Sequence, residues 1–71
     1  MSDVPKAIRI QIVKQDLQMW KNTRFQLEMR HRINKRIGKE TKSLEDEMVK
    51  AEGAITEAET MLKEIEAEAE E

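Results

Sequence analysis

Residues 44–69 read LEDEMVKAEGAITEAETMLKEIEAEA. Leu44, Met48, Ala51, Ile55, Ala58, Leu62, Ile65 and Ala69 step by four and three without a miss. That is the seam of a helix packed at a shallow angle on another helix. Its alanines leave room for a close neighbour. Ser43 is placed to cap this helix, and Glu45, Asp46 and Glu47 put negative charge on its first turn, where the helix dipole favours it. Asp46 with Lys50 and Glu59 with Lys63 have the orientation of supportive i,i+4 pairs. The terminal EAEAEE run puts acids at the wrong end of the dipole and is expected to fray.

Upstream, nothing between Gln15 and Ile37 breaks a helix, and Gly38 suits a left-handed C-cap. A first helix is expected over about residues 5–37, with Asp3 available as a cap and Pro5 in the first turn. The turn then covers 38–43 and the second helix about 44–69. Ala7–Val13 alternates apolar and polar residues and is β-branched, which is the strand signal, but no second strand candidate exists to pair with it. It is assigned to the helix, with a strand borrowed by a neighbouring chain as the alternative. The fold class is all-α: a long antiparallel two-helix hairpin, one domain over 1–71, oligomerising as a helical bundle.

The first helix has two apolar faces. Ile10, Val13, Leu17, Trp20 and Leu27 lie on one, in register with Arg24, His31 and Asn34. Ile8, Ile12, Met19, Phe25, Met29, Ile33 and Ile37 lie roughly opposite. A hairpin needs only one such face. The Met29, Ile33, Ile37 side is expected against the second helix. That leaves Ile10, Val13, Leu17, Trp20 and Leu27 as a homo-oligomer interface, since monomers rarely expose so large an apolar patch. Val49, Gly53, Thr56 and Thr60 form a further stripe on the second helix, read either as a solvated face or as a close helix contact.

The chain has 71 residues, no Cys, one His and a net charge of −2. It is too short for a large core and has no disulfide, so association is the available staple. One His without Cys excludes an ordinary zinc site within one chain. No apolar run approaches a membrane span and no signal-peptide core is present, so a cytoplasmic protein is expected. Residues 20–42 carry net +6 and residues 43–71 net −9. Two segments lying side by side account for such asymmetry.

There is no phosphate loop or nucleophile arrangement, and two helices enclose no water-free pocket. No catalytic residue, metal or cofactor is therefore assigned, and the function class is binding. Arg24, His31 and Asn34 continue the Trp20 stripe toward the turn, where it becomes polar. They are read as a register-fixing or exposed polar layer, or as ligand-binding residues in a pocket between protomers. In that pocket Arg24 supplies forked donors to phosphate or carboxylate, and Trp20 or Phe25 stacks on a base. Trp20 is otherwise a core or interface anchor. Arg30, Arg32, Lys35, Arg36, Lys39 and Lys42 complement the helix dipole and the facing acids. They point around the whole helix, so Arg30 and Lys35 join the anion-binding set.

Trp20-Lys21-Asn22-Thr23-Arg24, then Arg30, Arg32 and Gly38, followed by an acidic helix, resembles small helical-hairpin proteins encoded by bacteriophages. The resemblance implies an accessory or anti-defence role in the host cytoplasm, without enzymatic activity. Some such hairpins are oligomers that sequester nucleotide signals. Two other readings stand beside nucleotide capture. One is an adaptor or inhibitor docking on a larger protein through its charged helix faces. The other is nucleic-acid binding through residues 21–42, against which the net −9 segment argues.

Overall fold

A computed structural model describes residues 3–69. It is an antiparallel hairpin of two helices, α1 (Lys6–Ile37) and α2 (Lys42–Ala67), about 56 Å long and 16 Å across. Ala7–Val13 is helical, so the strand alternative falls: a β-branched segment with no partner strand satisfies its backbone within itself. Pro5, rather than Asp3, occupies the N-cap position of α1. It has no side-chain cap, and its carbonyl accepts the N–H groups of Ile8 and Arg9 at 3.0 Å.

α1 ends where Gly38 takes φ 80°, ψ 17°. The Lys39 N–H reaches the Asn34 carbonyl at 2.8 Å and the Gly38 N–H the Lys35 carbonyl at 3.4 Å. This paired closure needs a left-handed residue, which glycine supplies without a Cβ clash. The next helix starts earlier than expected. Thr41, not Ser43, holds the N-cap position, and Ser43 lies inside the first turn. Thr41 is favoured because its hydroxyl can donate to the Glu45 carboxylate at 3.0 Å. The Lys42 N–H at the helix start is taken by the Glu40 carboxylate.

The packing face of α1 is opposite to the expected one. Val13 packs with Ala58 and Ile65, flanked by Ile10, Leu17 and Leu62. Leu27 packs with Leu44 and Ala51, flanked by Trp20 and Met48. Ile10, Val13, Leu17, Trp20 and Leu27 therefore meet α2 of their own chain rather than forming an outer interface. The reason is register and size. From Ile10 to Asn34 this stripe keeps the same alternation of three and four as the α2 seam, and its bulky Trp20 lies in the cluster of Ala51, the most buried residue at 1% exposure.

The opposite face is left open. Ile8, Ile12, Met19, Phe25, Ile33 and Ile37 are exposed, the last three to about 60%. On α2, Val49 is exposed and a Cβ on Gly53 would meet open space, so none of the described residues covers either position. No polar or charged side chain is buried among the described residues. None of their helices is long and apolar enough to cross a membrane.

Candidate functional site

The hairpin has an open end and a loop end, and each is clamped by charge. At the open end Arg9 holds both Glu68 carboxylate oxygens, at 2.9 and 3.0 Å. Lys6 reaches the carbonyls of Glu68 at 2.7 Å and Glu66 at 3.3 Å. These are the carbonyls that the end of α2 leaves unsatisfied. Of Lys6, Arg9 and Lys14, which the charge pattern sets against the acidic tail, Lys6 and Arg9 meet it and Lys14 makes no ion pair among the described residues; the tail's last residues, Glu70 and Glu71, lie outside the described range.

At the loop end the central group is Glu45. One of its oxygens lies 2.9 Å from His31 Nε2 and 3.0 Å from Thr41 Oγ1. Its carboxyl is held below the usual carboxylate range, mainly by the hydrogen bond with His31 and then by that from Thr41, with smaller help from the charges of His31 and Lys35. Glu68 is lowered in the same sense by Arg9. Both ends therefore favour ionised carboxylates.

Arg24 sits midway along the seam. Its Nε is 3.2 Å from Glu28 and its Nη2 is 3.4 Å from Glu52. It lines a shallow groove with Lys21, Phe25, Ile55, Thr56 and the acids Glu28, Glu52 and Glu59. A cation already paired with two carboxylates, in a groove that Glu59 also lines, is a poor anion trap. The expected pairs Asp46–Lys50 and Glu59–Lys63 are not closed, whereas Arg24–Glu28 is; exposed lysines gain little from such contacts.

The sequence-predicted site therefore divides. Trp20 is half-buried and packs into the Leu27–Leu44–Ala51 cluster. Arg24 and His31 are tied to acids of their own chain, and Asn34 is half-buried with its carbonyl closing the helix. Arg30 and Lys35 remain exposed. What the structure does bring together is a second shallow depression at the loop end. It is lined by Glu28, His31, Arg32, Lys35, Arg36 and Met48. No ion pair engages Arg32, Lys35 or Arg36 among the described residues. Arg32 and Arg36 were legible only as members of a basic run; their i,i+4 spacing was the available signal.

Such an array can bind an anion through forked and point-charge donors. It is open to solvent, so it offers recognition rather than an enclosed reaction space. Among the described residues no group of three or more His, Cys, Asp or Glu is placed to hold a metal ion. No family model, no curated protein and no solved structure matches this chain.

Proposed function

We propose that this protein is a non-enzymatic, self-associating helical hairpin that captures an anionic ligand at its loop end. The observation that carries the reading is the cluster of Arg32, Lys35 and Arg36 around one depression, none of them in an ion pair among the described residues, although Glu28 also lines it and the charge of Lys35 acts on Glu45. Arg30, Lys39 and Lys42 add positive charge from the same end of the molecule. Guanidinium groups one helical turn apart suit a phosphate-bearing ligand. A nucleotide is the class that the resemblance to phage-encoded hairpins also implies, and binding would act by stoichiometric sequestration. Arg24 and His31 serve in this reading as struts of the hairpin, not as primary contacts.

Calorimetric titration with ATP and with inorganic tripolyphosphate tests it. The wild-type chain should bind at low salt, and binding should weaken as salt rises. Arg32→Glu with Arg36→Glu should weaken binding at least tenfold while helicity is kept. Arg24→Ala should leave it within about twofold. Equal binding by the charge-reversed variant would remove the loop end from the account.

A second reading has its own support. Phe25, Ile33 and Ile37 are exposed and interleave with Arg30, Arg32 and Arg36. A mixed apolar and basic surface fits an acidic amphipathic segment of a larger protein. In that case tripolyphosphate binds weakly and one protein copurifies in a fixed ratio.

A further inference from the structure

The outer face of α1 carries a second complete helix-packing seam. Ile8, Ile12, Gln15, Met19, Asn22, Gln26, Met29 and Ile33 step by four and three throughout. If Ile12, Met19, Gln26 and Ile33 take the a positions of a heptad, Ile8, Gln15, Asn22 and Met29 take the d positions. The stripe is apolar at both ends and amide-rich in the middle. Ile8, Ile12, Met19 and Ile33 are 47–60% exposed, so α2 does not use them.

We propose that the occupant of this seam is a second copy of the same chain, packed antiparallel about a two-fold axis between Trp20 and Lys21. The inference rests on the self-association included in the function proposed above and adds the face, direction and register. In an antiparallel helix pair each a position meets a d position of the partner. Applied here, Ile8 meets the second copy's Ile33, Ile12 meets its Met29, Gln15 meets its Gln26 and Met19 meets its Asn22. Apolar residues meet apolar ones in the outer layers, amides meet amides in the Gln15–Gln26 layer that fixes register, and the central layer sets Met19 against Asn22. A two-fold contact must be self-complementary in this way.

Charge selects the direction. A parallel pair would stack two loop ends, each carrying Arg30, Arg32, Lys35 and Arg36. The antiparallel pair brings each loop end to the other copy's open end, where Glu64 and Glu66 lie beside Lys6 and the Arg9–Glu68 pair. Area allows it. A compact monomer of 8.3 kDa exposes about 4,600 Å² by surface-to-mass scaling, whereas this hairpin exposes 5805 Å². The seam from Ile8 to Ile33 covers 26 residues, or about 39 Å of helix roughly 10 Å wide. Two such footprints give roughly 800 Å², the size of a weak, concentration-dependent interface.

Cysteine cross-linking tests the proposal, because the chain has no Cys of its own. Gln15→Cys and Gln26→Cys chains, co-expressed and oxidised, should give a mixed disulfide dimer, and neither variant alone should cross-link. Self-linking of Gln15→Cys would show a parallel pair and overturn the register. Sedimentation supplies the second arm. Ile12→Glu with Ile33→Glu alters residues that do not touch α2, so it should give a helical monomer where wild type sediments as a dimer. A monomeric wild type at high concentration, or a double variant that remains dimeric, would overturn the proposal. Anion titration of the wild-type chain reports separately on the loop end, since Ile33→Glu would itself put a carboxylate beside Arg32, so failure of the seam and failure of anion capture are distinguishable.

Discussion

Along α1, the inner stripe from Ile10 to Asn34 and the outer stripe from Ile8 to Ile37 both recur at helical spacing, yet only the inner one meets α2. The outer stripe has the better apolar ends. The inner one turns polar at Arg24, His31 and Asn34. What decides between them is fit to the facing surface. Trp20 needs a small neighbour and packs against the cluster that contains Ala51, while Arg24 and His31 reach past the seam to Glu52 and Glu45 on the flank of α2. A long polar side chain can thus sit in a seam without its charge being buried.

The largest expected contrast lies between two truncations. Leu27→Ala removes a buried side chain of the inner face and should cost roughly 2–3 kcal/mol of unfolding free energy, at the low end for a core substitution because this core is thin. Ile33→Ala, on the outer face at 60% exposure, should cost less than about 0.5 kcal/mol in the monomer. Urea unfolding at low concentration, followed by circular dichroism, measures both. Equal costs would mean that the faces are misassigned.

Gly53 extends the comparison to the outer side of α2. Its missing Cβ faces open space, so Gly53→Ala should stabilise the helix by about 0.5–1 kcal/mol. Destabilisation in thermal unfolding would instead reveal a close helix contact on the Val49–Thr60 stripe.

Smaller still is the effect of pH on the charged clamps at the two ends of the hairpin. Glu45 and Glu68 have folded-state pKa values below their unfolded ones. The unfolded chain therefore binds more protons as pH falls through the carboxylate range, and their contribution, full above about pH 4.3, is lost below it. Both groups are exposed, so the change should be modest and weaken with salt. Glu45→Gln should flatten the loop-end part of the profile in acid titrations monitored by circular dichroism. An unchanged profile would detach the His31–Glu45 contact from stability.

Much of the hairpin was legible in the sequence. Gly38, the α2 seam and the sign of each end follow from local rules, and α1 and α2 begin and end within a few residues of expectation. The face of α1 was harder to read, because apolar content favoured one stripe and register the other. The cap at Thr41 depended on a carboxylate four residues on, which competes with the simpler Ser43 pattern. Arg24 and His31 meet Glu52 and Glu45 because isolated polar groups in an apolar stripe invite a partner, and α2 supplies one that the sequence pattern of α1 alone does not show.

The most direct test of the two-face account is an isotope-filtered NOE experiment on a mixture of labelled and unlabelled chains. Trp20 indole protons should show NOEs to the Ala51 methyl within one chain, while NOEs between chains should join Ile12 to Met29 and Ile8 to Ile33. Trp20–Ala51 NOEs found only between chains, with the outer stripe silent, would contradict it.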